Sequence, residues 1–272
     1  MSRRRMHEPE RGGDAPVEAR TSLARRIRAR AASAVPVVPT VRLDRGPLCS
    51  FTFDDGATSA LRNAGGRLEE AGGAGTFFVS AGLVADTERQ DPHIWDERIR
   101  RALDAGHEIG CHTCRHPRVP AITTEDFVGE LDDNLAAIRE LLPGFRFASF
   151  SYPYGEATVA AKRIVASRFA VGRGLRRGLN GRVVDLSELR ANKIESRTFD
   201  IDAYRDLIQR AVSRNAWLVF YTHDVTRHPS PWGCTPSDFG LVLELVVDAG
   251  MPVLPLKAAL GRVAHRAPPD GD

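Results

Sequence analysis

An α/β fold, with a parallel sheet covered by helices and closed into a barrel rather than opened into a doubly wound sheet, is expected from three features of this 272-residue chain. From Leu48 onward, short apolar runs alternate with helical patterns about seven times. No Gly-rich phosphate fingerprint accompanies them, which disfavours a dinucleotide-binding sheet. The residues with chemistry to offer fall where strand-like runs stop, the pole at which such folds gather their reactive groups.

Taken in order, LCSFTF at 48–53 is strand-like, and SALRNAGGRLEEAG at 59–72 carries a helical pattern. GTFFVSA at 75–81 returns to strand. IWDERIRRALDAG at 94–106 is helix, stopped by Gly106 in the usual C-terminal position. HEIGCH at 107–112 is strand, and 123–144 is the strongest helix, with Thr123 or Thr124 as cap and a Pro-Gly stop. Then come strand at FRFASFSY (145–152), helix at 156–167 and strand at RFAVGRG (168–174). The stretch 174–196 reads as irregular, with a short strand at NKIE. Helix at 201–215, strand at AWLVFYTH (216–223), helix at 237–250 and strand at MPVLPL (251–256) complete the series.

Composition bounds the function. With 42% hydrophobic and 27% charged residues the chain fits one large domain or two small ones. The formal net charge of +3 does not mark a nucleic-acid binder. Residues 1–45 are rich in arginine and read as a basic, flexible arm, 46–265 as the catalytic barrel, and 266–272 as a disordered tail. A short amphipathic helix fits SLARRIRARAASAV. The arm is read as a solvated leader, with weak contact to an anionic membrane surface as the sharper alternative. No apolar run of about 18 residues suggests a membrane span, and no secretory pattern follows the first arginines. A cytoplasmic location is therefore the expectation, with Cys49, Cys111, Cys114 and Cys234 as reduced thiols. Redox use of the CHTC pair is the weaker reading.

Asp54 and Asp55 end the first strand, His112 ends HEIGCH with His116 four residues on, SYPYG follows Phe147, and His223 ends LVFYTH. One carboxylate and two imidazoles suit a catalytic divalent metal that keeps a position open for water. Each motif alone is an ordinary turn or a surface histidine. Their joint placement at successive strand ends is what points to a site.

In this order, TFDDG, HTCRHP, SYPYG and FYTHD resemble the polysaccharide deacetylases, carbohydrate esterase family four or the NodB-homology domain, over Leu48 to Leu256. The resemblance implies a distorted (β/α)7 barrel and hydrolysis of an acetyl group, most often N-linked, on a carbohydrate. It implies that Asp55, His112 and His116 hold one divalent metal, zinc by preference over cobalt, nickel or manganese. Asp54 would be the base that takes a proton from the metal-activated water, His223 the acid, and the Tyr154 N–H an oxyanion donor. Tyr221 and Pro153 would contact substrate, with Phe220 sharing the acetyl pocket, although AWLVFY also reads as a plain buried strand. Trp232, in the Pro/Gly-rich loop after His223, reads equally as a face for a sugar ring or as an anchor of the loop on the barrel rim. The alternative is a catalytically silent carbohydrate-binding protein on the same scaffold.

Two departures stand out. Many members carry an arginine where this chain has Ser151, and that arginine orients the catalytic aspartate; Arg118, Arg173 and Lys193 are candidate replacements. Many also carry an aspartate that partners the acid histidine, for which Asp200, Asp202 and Glu195 are candidate stand-ins. His93 and His107 are expected at the surface or at a strand start.

Overall fold

The alternation of apolar and helical runs becomes a series of strand–helix units in a computed structural model that describes residues 31–262 except 33, 38–39, 43–45, 84–91 and 182. The short β1 (Thr40–Arg42) precedes β2 (Leu48–Phe53), the first barrel strand. Helix α1 (Thr58–Glu70), β3 (Thr76–Val79), α2 (Pro92–Asp104) and β4 (Glu108–Cys111) follow. Next come α3 (Thr124–Leu141), β5 (Ser149–Ser151), α4 (Val159–Arg168) and β6 (Val171–Arg173). The chain continues through β7 (Val183–Asp185), β8 (Asn192–Lys193), α5 (Ile201–Ser213) and β9 (Trp217–Thr222). It closes on α6 (Pro236–Asp248) and α7 (Leu256–Leu260).

Seven strands pair in parallel in the order β6-β5-β4-β3-β2-β9-β8. The two ends of that sheet do not share a regular ladder. The segment 186–191 fills the seam: Gly172 N–H donates to Leu186 O at 2.7 Å, and Leu189 N–H to Gly172 O at 2.7 Å. The result is the expected distorted (β/α)7 barrel. Gly172 is required there, because a Cβ would stand 2.3 Å from Ser187 O.

Side chains alternate across each strand, so both faces need a core. The outward set, including Cys49, Phe51, Phe53, Phe77, Ile109, Phe150 and Phe220, packs beneath the helices. Phe51 stacks on Phe220 at 5.4 Å between centroids, and Phe53 on Phe77 at 4.5 Å. The inward set includes Leu48, Phe78, Val171, Trp217 and Val219. Trp217 Nε1–H donates to Ser50 Oγ at 3.0 Å, which satisfies its polar edge inside the barrel. Continued by twos, the inward series reaches Asp54, His112, Ser151, Arg173 and Tyr221 at the C-terminal pole. Alternation alone brings those residues to one place.

Helix α3 starts on a capping box, with Thr123 Oγ1 accepting from Asp126 N–H at 3.0 Å. Four expectations are adjusted. MPVLPL forms one bridge, Cys49 to Val253, because Pro252 and Pro255 lack the N–H a strand needs, and α7 begins at Leu256. FRFASFSY contributes strand only at 149–151. The irregular stretch contains β7, which pairs antiparallel with β1 across more than 140 residues of sequence. The C-terminal end of the stretch read as a flexible arm is thereby docked: buried Lys162 donates to Val35 O at 2.7 Å and pairs with Asp185 at 2.8 Å. The arm up to residue 30, with residues 22–30 of its 22–35 amphipathic pattern, and the tail from 263 lie outside the described residues.

His107 does begin a strand, but it is buried. Its Nδ1 accepts from Gly75 N–H at 3.1 Å, so Nε2 carries the proton and donates to Glu69 at 3.3 Å. Burial is the main influence holding its pKa below the usual value. The four cysteines are all unpaired and buried, as expected of inert thiols.

Candidate active site

Backbone conformation marks the site before any side chain is considered. Among the described residues, five non-glycine positions have positive φ, and four of them lie here: Asp55 (63°), Thr113 (63°), His116 (57°) and Tyr154 (57°). Each such position costs on the order of 1–3 kcal/mol and persists only where its surroundings over-determine it. The loop after β4 shows how. Glu130, on α3, accepts from Cys114 N–H at 3.0 Å, from Arg115 N–H at 2.7 Å and from Arg115 Nη1 at 2.9 Å. It pins the chain between the two histidines.

Asp55, His112 and His116 converge. His112 Nε2 lies 3.5 Å and His116 Nε2 3.4 Å from Asp55 Oδ1, and the two nitrogens are 3.1 Å apart. A tetrahedral ion with ligand bonds of about 2.0–2.1 Å has edges of about 3.3–3.4 Å, so this triangle fits one face of that polyhedron. His112 Nδ1 lies 2.8 Å from Ser151 O, which can only accept, so Nδ1 carries the proton and Nε2 presents its lone pair inward. Asp55 Oδ1 is buried without a hydrogen-bond partner among the described residues. The inward lone pair of His112 and the unpartnered carboxylate oxygen repel one another unless a cation or a proton lies between them. The donor set fits a divalent metal. Burial is the first cause that lowers the pKa of both histidines, His112 to about 4, which keeps both imidazoles neutral and able to ligate.

Asp54 stands beside this triangle, buried and 3% exposed. Burial, the largest influence, pushes its pKa up. The Arg173 guanidinium, with His112 and His223, more than reverses that and holds it at about 2. Arg173 Nη2 donates to Asp54 Oδ1. Ser151 Oγ reaches the same oxygen only at 3.5 Å. Of the three cations considered from sequence, Arg118 is paired with Glu156 at 2.9 Å and Lys193 with Glu195.

His223 follows β9. Its Nδ1 lies 3.2 Å from Trp232 O, so this nitrogen donates and Nε2 turns toward the triangle, 3.8 Å from Asp55 Oδ2. The partner of His223 is thus a backbone carbonyl and none of the three carboxylates considered. Asp200 caps α5, Asp202 pairs with Arg205, and Glu195 pairs with Lys193. The loop that brings Trp232 round is tied by Asp224, which accepts from Ser230 N–H at 2.8 Å. No side-chain pattern announces a carbonyl partner, which is why sequence reasoning missed it.

The rim is aromatic. Tyr154 is 49% exposed, with its ring 4.6 Å from that of His116 and Arg118 stacked 3.8 Å above it. Trp232 is 55% exposed, with Arg197 5.6 Å from its ring. Tyr221 is half-buried with Arg173 5.3 Å over its ring, and burial raises its pKa to about 12. Pro153 is buried inside the turn and shapes Tyr154 rather than offering surface to a substrate. Phe220 is on the opposite face of β9, packed on Phe51 and Tyr204, so it takes no part in the pocket.

Residues 44–168 match the family described as polysaccharide deacetylase, a stretch that stops before Arg173 and His223. Among curated proteins the chain is 29% identical over 107 residues to the peptidoglycan-N-acetylmuramic acid deacetylase PdaC of Bacillus subtilis, spanning 39% of this chain and 21% of that protein. It is 24% identical over 193 residues to a chitin deacetylase of Colletotrichum lindemuthianum, spanning 70% of this chain and 73% of that one. Among solved structures, a CE4 family pseudoenzyme from Bacillus anthracis superposes with a TM-score of 0.54 at 13% identity, over 79% of this chain and 66% of that one. That likeness concerns the fold. No helix among the described residues is long and apolar enough to cross a membrane.

Proposed function

We propose that this chain, a member of the polysaccharide deacetylase family of carbohydrate esterases, is a metal-dependent hydrolase that removes an acetyl group from an N-acetylated sugar. The observation that carries the reading is the triangle of Asp55 Oδ1, His112 Nε2 and His116 Nε2, with edges of 3.1–3.5 Å and its carboxylate oxygen otherwise unpartnered. A divalent cation there, zinc by preference, supplies the acidity that makes water a nucleophile near neutral pH and polarises the acetyl carbonyl.

The chain's own groups do the rest. Asp54, kept ionised by Arg173, accepts the proton of the attacking water. Backbone N–H of Tyr154, in the turn after β5, donates to the developing oxyanion. His223, oriented through Nδ1 by Trp232 O, gives its proton to the departing amine from Nε2. Tyr221 closes the inner wall, and exposed Trp232 offers a face on which a sugar ring stacks.

The test couples metal analysis to acetate release from chitooligosaccharides, peptidoglycan fragments and nucleotide-linked N-acetyl sugars. The expected result is acetate release that chelation abolishes, that added zinc or cobalt restores, and that Asp54→Asn removes with metal retained. Sugar binding without release under any divalent metal would replace the hydrolase with a silent binding protein.

A further inference from the structure

Arg173 is a poor device for stability. It is fully buried, its Nη2 meets Asp54, and its Nε and Nη1 are buried without a partner among the described residues. A buried guanidinium with two unmade hydrogen bonds is worth less to the fold than an apolar side chain of similar volume. Yet its placement is tightly determined. β5 and β6 pair so that Ser151 lies opposite Arg173, and Tyr152 N–H donates to Arg173 O at 3.1 Å. On the other side Arg173 bridges to Leu189 across the seam.

The glycines on either side make that clamp. A Cβ at Gly172 would meet Ser187 O at 2.3 Å, and one at Gly174 would meet the Glu188 side chain at 2.8 Å. Only position 173 carries a side chain, and alternation turns it inward. Ser151, its register neighbour, is small and buried and leaves the space toward Asp54 to the guanidinium.

We propose that Arg173 is a positioning residue for Asp54, delivered from β6 across the small Ser151, so that positions 151 and 173 form an exchangeable pair in which either can carry the guanidinium. This rests on the reading of Asp54 as the proton acceptor. The guanidinium fixes Oδ1 and leaves Oδ2 to face the water. A misaligned acceptor slows the chemical step without weakening substrate binding, so the loss falls on kcat.

The test uses the metal-loaded full chain. Arg173→Met is expected to lower kcat by at least about tenfold, with KM within about threefold and metal content unchanged. Adding Ser151→Arg to Arg173→Ser is expected to regain about tenfold of kcat over Arg173→Ser alone. A kcat near wild type in Arg173→Met, loss of metal together with activity, or no recovery in a folded, metal-loaded exchange variant would each overturn the proposal. If the wild-type chain releases no acetate, the hydrolase reading fails, and the pairing is read separately by urea unfolding. A double-mutant cycle of Asp54→Asn and Arg173→Met is then expected to show coupling of about tenfold or more in the folding equilibrium constant, and simple additivity would overturn it.

Discussion

Asp54→Asn removes one negative charge while keeping the shape and one acceptor of the side chain, so it separates chemistry, metal binding and stability in a single variant. The pKa of Asp54 falls from an ordinary 3.8 to about 2 on folding. At 1.36 kcal/mol per unit, that favours the ionised, folded form by roughly 2 kcal/mol. The folded pKa is the lower one, so this stability is present above about pH 4 and is lost as pH falls toward 2. Metal-free protein should therefore unfold at a lower urea concentration in Asp54→Asn at neutral pH, by roughly 2 kcal/mol, and the gap should narrow below pH 4. The buried guanidinium left behind makes that figure a lower bound, since breaking a buried pair costs about 3–5 kcal/mol when nothing else compensates. Catalysis should fall further, by about 10²–10⁴ in kcat. Metal content should be unchanged, because Asp55 and the histidines are untouched. An Asp54→Asn variant with wild-type kcat, or one that loses its metal, would refute the division of labour between the two aspartates.

Other consequences follow from particular contacts. Glu130→Ala removes the carboxylate that holds Cys114 N–H and Arg115 N–H, so the His116 loop loosens and metal affinity should drop by about 10–100-fold in chelator competition. Gly172→Ala forces a Cβ to within 2.3 Å of Ser187 O and should cost about 1–3 kcal/mol in urea unfolding, with the seam opening first in hydrogen exchange. Burial raises the pKa of Glu108, at the opposite pole, above its ordinary 4.5. Its contribution to stability is present below about pH 4.5 and is lost as pH rises through the folded value. Glu108→Gln should therefore remove that pH dependence, and the variant should gain on wild type as unfolding is followed from acid to neutral pH.

Much of the site could be read from the chain because the barrel converts linear order into proximity. Asp54, His112 and His223 each end a strand in phase with the inward series, and parallel strands leave their ends at one pole. What escaped reading depends on relations between strands. Nothing in VGRGL says that Arg173 will lie opposite Ser151; that follows from a β5–β6 register which three-residue strands barely encode. The partner of His223 is a main-chain oxygen, invisible to any search for a carboxylate. Motif membership does not say which face of a turn or strand a residue occupies, so Pro153 turns inward and Phe220 keeps only the buried-strand half of its reading. The prolines of MPVLPL outweigh its apolar character. The pairing of β1 with β7 joins distant segments and leaves no local trace.

The proposed chemistry requires Asp55, His112 and His116 to share one ion. The direct measurement is divalent metal bound per chain after dialysis against zinc, for wild type, for Asp54→Asn and for Asp55→Ala, His112→Ala and His116→Ala separately. Wild type and Asp54→Asn should each hold one ion per chain, and each of the other three variants should lose tight binding. Wild-type protein that takes up no divalent metal, or undiminished binding after removal of Asp55 or either histidine, would contradict it.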